Sequence, residues 1–174
     1  MELPNAAYLY TLALIAVAYV GFTAIVLILR QSVGGALSPL DTLVARLFMG
    51  WGFLITYLSM LPMLLAAFEF GHKAVWQIAS AFAGLSFLVM HVGYQIWRGR
   101  VTGEPTPSHL WLHTVSGSAF GAVLLVNAAA IVPTAVGAIY AAAVTLDMLQ
   151  ASFAFVQHFG LMIDQLRTQA KKGD

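Results

Sequence analysis

The chain has 174 residues, 60% of them hydrophobic and 9% charged, with eight Lys and Arg against seven Asp and Glu. A water-soluble domain carries about 25% charged residues, so an ordinary soluble fold is excluded, and no basic patch supports nucleic-acid binding. There is no cysteine, which removes disulfides, thiolate metal sites and cysteine nucleophiles together.

Five apolar stretches are long enough to cross a bilayer, which takes roughly 20 residues as a helix. They run over 6–29, 42–68, 74–97, 109–131 and 134–163, and their short connectors leave room for a single transmembrane domain. The first has no basic leader and is too long for a signal core, so it reads as a retained helix. Before the second, "SPLD" predicts a helix start, with Ser38 as N-cap, Pro39 at the first helical position and Asp41 in the first turn. Pro62 falls inside that helix and cannot donate to the carbonyl of Leu58, which then needs another donor. The third stretch ends in "RGRVTGEPTPS" (98–108), the one clearly polar connector. Ser108 is the expected cap of the fourth helix, and Pro133 opens the fifth. The fifth outruns a bilayer's thickness, and residues 164–174 read as a short cytoplasmic extension with a basic tail.

Threading five crossings puts Arg30, Arg46, Arg98, Arg100, Arg167, Lys171 and Lys172 on one side and Lys73 alone on the other. By the positive-inside rule the amino terminus is outside and the carboxyl terminus cytoplasmic. The predicted fold is therefore all-α: a polytopic five-helix membrane bundle.

Residues three and four apart on a helix share a face. On the fifth helix this collects Tyr140, Asp147, Gln150, Ala154, His158 and Gln165, with Gln157 at the edge. On the third it collects Ser80, Gly84, Phe87, His91, Tyr94, Gln95 and Arg98. On the fourth it collects His109, His113, Gly117, Phe120, Leu124 and Asn127. At 1.5 Å per residue, His91 lies about 9 Å above Trp97 and His113 about 6 Å above His109, so His91, His113 and His158 are expected to meet in the inner half of the membrane. Asp147 falls roughly 16 Å further out than His158, near the midplane, with Asn127 near the outer face. A charged carboxylate there costs several kcal/mol unless it is paired, hydrated or protonated, so Asp147 must face protein or water. Polar bonding between helices is the alternative to a functional role for it.

Three kinds of chemistry can use this set. A channel- or transporter-like path for protons, ions or a small solute would be lined by Asp147, Gln150, His158, Asn127 and Tyr140, with His91, His113 and His158 making it pH-sensitive. Five helices enclose little volume, and the small residues Gly117 with Gly121 and Gly137 with Ala141 suit close helix contact, so a homo-oligomer is expected. A b-type haem carrier would use His91 and His113 as axial ligands, with Gly84 and Gly117 making room for the ring. Zn²⁺ would require His91, His113 and His158 to converge. The cofactor question stays open among these, and an accessory or scaffold subunit of a larger membrane complex is a further reading. Retinal does not fit, because the lysines (Lys73, Lys171 and Lys172) all sit near or beyond the ends. No P-loop, G-x-S-x-G or H-E-x-x-H occurs, and no catalytic residue is assigned.

Through "GFTAIVLILRQ", the glycines after it and "LSPLD", the amino-terminal part of the chain resembles a group of small bacterial multi-pass membrane proteins with no assigned function. The resemblance implies a bacterial inner membrane and carries no activity.

Overall fold

A computed structural model describes residues 3, 5–34, 38–104, 106–129 and 135–173, and of 33, 34, 109 and 161–173 it describes the backbone alone. Pro133 and the side chains of His109, Gln165, Arg167, Lys171 and Lys172 fall outside the described parts.

Five helices follow one another: α1 (Ala6–Gly34), α2 (Pro39–Ala67), α3 (His72–Thr102), α4 (Ser108–Ala128) and α5 (Val136–Gly173). All five are long and apolar enough to cross a membrane. The apolar outer surface fits that reading: Leu14, Ile28, Val89, Leu112 and Val156 are among many large side chains left exposed. In lipid such a surface carries no penalty, and a helix satisfies most of its backbone polar groups internally.

Local chemistry sets the helix ends. Ser38 caps α2 as expected: its hydroxyl accepts from the Asp41 N–H at 3.0 Å while the Asp41 carboxylate accepts from the Ser38 N–H at 3.3 Å. This reciprocal pair satisfies two donors that a helix start leaves orphaned. At α4 the expectation is off by one residue. Pro107 holds the cap position, Ser108 is already helical, and no side chain caps the end. The third helix outlasts its apolar run, continuing through Arg98 and Arg100 to Thr102. Gly103 then stops it in the left-handed region at φ 65°, a conformation that costs glycine little.

Helix α5 packs against all four others, and α2 against α1, α3 and α5. The closest approach described by glycines is between α3 and α4, where a Cβ on Gly84 would lie 2.8 Å from the Gly121 carbonyl oxygen. Two glycines facing each other let these backbones nearly touch. The core running through the bundle includes Leu9, Ile55, Leu58, Trp76, Phe87, Leu124, Tyr140 and Val144.

One expectation about α2 is met by a specific contact. Pro62 is buried in the helix, and the freed Leu58 carbonyl accepts a 2.6 Å hydrogen bond from the Tyr140 hydroxyl on α5.

Candidate functional site: a buried Asp–His–Trp cluster and its pocket

Asp147 projects from α5 into the middle of the bundle and is completely buried. Both carboxylate oxygens are used. Oδ1 lies 2.9 Å from His91 Nε2 on α3, and Oδ2 accepts from the Trp51 indole N–H on α2 at 2.6 Å. Trp51 and His91 also meet edge to face, with ring centroids 4.6 Å apart. His91 is 2% exposed, so none of the three polar groups depends on bulk water for its hydrogen bonds.

Three helices supply one group each, and a fourth supplies the space. Gly117 on α4 faces the His91 ring so closely that a Cβ there would lie 1.8 Å from Nε2. Along the helix axis Trp51 is about 18 Å from the start of α2, and His91 about 16 Å from the end of α3. Asp147 is 13 residues from the end of the α5 apolar span at Gly160, about 20 Å. These three ends lie on one side of the bundle; from the other side Asp147 is 11 residues from the start of α5 at Val136, about 16 Å, so the cluster is deep from both.

From Trp51 and His91 a pocket of about 80 Å³ extends toward the end of the bundle that carries Arg30, Arg46, Arg98 and Arg100, which we term the basic end. Its walls include Phe48, Tyr94, His113, Thr114, Gln150 and His158. That volume holds several water molecules and is well below the roughly 300–1,000 Å³ of pockets that enclose small-molecule ligands. At its side Gln150 donates to the His113 carbonyl at 2.6 Å and accepts from the Ser116 hydroxyl at 2.8 Å. His158 stands near the mouth, its Nε2 3.7 Å from the Asp41 carboxylate in the first turn of α2. Behind His113, Gln95 bonds Thr114 and accepts from the Thr106 hydroxyl at 2.8 Å, while Arg98 reaches the Glu104 carbonyl at 3.4 Å.

The sequence-derived candidates divide accordingly. Gln150, His91, His113 and His158 line the pocket, and Asp147 lies behind His91, outside the lining. The three histidines share the pocket without sharing a point: His91 is held by Asp147, His158 faces Asp41, and His113 lies against Phe153. His91 thus belongs to the level of Asp147, above the depth expected from counting residues on α3 alone.

Tyr140 and Asn127 are elsewhere. Tyr140 is spent on Leu58, and Asn127 ties the other end of the bundle together by donating to Ser80 and to the Val136 carbonyl, both at 2.9 Å. Gln157 is exposed. No group of three or more His, Cys, Asp or Glu among the described residues is placed to hold a metal ion. Nor do the residues suit a haem between His91 and His113. His91 Nε2 already faces the Asp147 carboxylate, and the two glycines expected to free a slot are filled, Gly117 by His91 and Gly84 by Gly121 and Leu125. Gly117, Gly121 and Gly137 all make contacts inside the chain, the last against Trp76, so they supply no argument for self-association.

Trp51 and Asp41 were not among the candidates. Trp51 had a readable signal, since a buried indole N–H needs an acceptor and this tryptophan alone of four lies deep within a span instead of near an end.

Fold and site together define an all-helical protein built of five membrane-length helices around a buried acid–imidazole–indole cluster. Compared with known proteins, the chain matches no family model, no curated protein and no solved structure.

Proposed function

We propose that this chain is a multi-pass protein of the bacterial inner membrane, amino terminus outside, that provides a channel- or transporter-like path for protons or for an ion or small solute moving with them. The His91–Asp147 pair is the proton-binding element, and the pocket lined by His113, Gln150 and His158 is the route to it from the cytoplasmic side. The observation that carries this reading is a fully buried carboxylate, 2.9 Å from a nearly buried imidazole that itself lines a cavity large enough for water.

The physics favours a pair that is neutral overall. With one proton between them, carboxylate and imidazole are together neutral, whichever atom holds it. Adding or removing a proton leaves a net charge in the low-dielectric interior, at a cost of several kcal/mol unless water or a counter-charge reaches the pair. A pocket with room for several waters, ending at His91, would supply that access, and polar groups along its wall could hold such waters in line. The distribution of the basic residues supports this orientation. A path complete from face to face would use a further arrangement of the same helices or a second copy of the chain.

Reconstitution into liposomes with an entrapped pH dye tests this directly. The protein is expected to carry protons under a potassium-diffusion potential, and Asp147→Asn, which keeps the volume and an acceptor for Trp51, is expected to reduce the flux to the lipid background. Undiminished flux through a folded Asp147→Asn protein would remove the pair from the path. No flux through the parent protein, with copurification of other membrane chains, would favour the accessory-subunit reading.

A further inference from the structure

On the outer surface between α2 and α3 lies a second, larger hollow of about 330 Å³, separated from the first pocket by the shared walls Leu47 and Tyr94. Its lining is almost wholly apolar, with Leu47 from α2 and Val89, Met90, Tyr94 and Ile96 from α3, and Gly93 opens its floor. Nothing lies within 4 Å of where a Gly93 Cβ would be, so the hollow reaches the backbone of α3. Trp97, 59% exposed, and Arg100 close it at the basic end. Arg100 is exposed and makes no hydrogen bond or ion pair among the described residues.

The dimensions and chemistry of this groove match a lipid. From Val89 to Arg100 is eleven residues, about 16 Å along the helix. That is about half of a hydrocarbon core of roughly 30 Å, one leaflet deep. An aromatic side chain at the membrane surface followed by an unpartnered guanidinium is the arrangement that meets a phospholipid at its glycerol and phosphate. The guanidinium fork pairs with phosphate oxygens in bidentate fashion.

We propose that this groove binds an anionic glycerophospholipid of the cytoplasmic leaflet, one acyl chain lying over Gly93 between α2 and α3 and the phosphate on Arg100. The site requires that the chain sit in a bilayer, and is independent of any proton path.

Bromine quenching of Trp97 tests it. In a Trp111→Phe background Trp97 is the one strongly exposed indole, since Trp51 and Trp76 are buried. The protein is placed in phosphatidylcholine vesicles carrying a minor fraction of brominated phosphatidylglycerol, or the same fraction of brominated phosphatidylcholine. The expected result is an about five-fold preference for the anionic lipid, the worth of one arginine near an anionic headgroup. Arg100→Gln is expected to abolish the preference, and Gly93→Phe, which fills the groove where space is open, to lower quenching by both lipids. Equal quenching by the two lipids, or a preference surviving Arg100→Gln, overturns the proposal. Quenching by brominated phosphatidylcholine alone still reports insertion, so failure of the site is distinguishable from failure of the membrane assignment.

Discussion

Asp147 survives in an apolar bundle because four other residues are arranged around it. His91 and Trp51 occupy its two oxygens, Val144 packs in the same core, and Gly117 gives up its side chain so that the imidazole can reach the carboxylate. Gly117→Ala tests how tightly that arrangement is specified. The new methyl would coincide with the His91 ring, which cannot stay on Asp147 without a shift of α4 against α3. We expect a destabilisation of about 1–3 kcal/mol, typical of overpacking, seen as a lower unfolding temperature in detergent. Gly21→Ala, where a Cβ meets nothing within 4 Å, serves as the comparison and should leave the temperature unchanged within error. An equally mild Gly117→Ala would mean that His91 is not held as described. The stripe containing Asp147 was readable from spacing, because period and polarity give the face of a helix. Its partners were not. Spacing fixes neither the rotation of a neighbouring helix nor its slide along the axis, and the His91 level came out wrong for that reason. Trp51 scored as one more apolar residue in an apolar run.

At the level of the helices, the contact between Tyr140 and Leu58 answers a backbone problem that α2 creates for itself. Proline inside a helix removes a donor, and in lipid no water replaces it. The hydroxyl on α5 takes that place, so a defect in one helix becomes a bond between two. Tyr140→Phe is expected to cost about 1–3 kcal/mol by orphaning a buried carbonyl. In a Pro62→Ala background the alanine N–H can reach Leu58, and the same change should then cost much less. A double-mutant cycle of thermal stabilities reads the difference, and additive costs would show that the two residues are not coupled. The need for this donor was legible in the sequence, its source was not. Helix boundaries followed the same pattern: apolar runs located the five elements, whereas α3 runs past its apolar run until Gly103, because the polar residues of "RGRVT" continue a helix as readily as apolar ones.

For the whole molecule, the asymmetry of charge is the strongest statement about threading. Arg30, Arg46, Arg98 and Arg100 cluster at one end of the bundle, and Lys73 stands at the other. The absence of native cysteine makes the orientation directly measurable. Single variants Glu104→Cys and Gly71→Cys lie in connectors at opposite ends, at exposed positions. In intact cells a membrane-impermeant maleimide is expected to label Gly71→Cys, and to label Glu104→Cys after the membrane is opened. The reverse pattern would invert the orientation and turn the pocket outward.

The helices also differ in length, and that difference constrains the lipid as well as the protein. Helix α4 is the shortest, 21 residues from Ser108 to Ala128, about 32 Å, while α3 runs over 31 residues, about 46 Å, its last turns beyond its apolar run. The two are clamped where Gly84 meets Gly121, so they cannot slide to share the mismatch. Helix α3 can tilt or let its ends protrude, but α4 has nothing to spare. In a bilayer α4 would be the gauge of the bundle, and a bilayer much thicker than its span would have to thin around it.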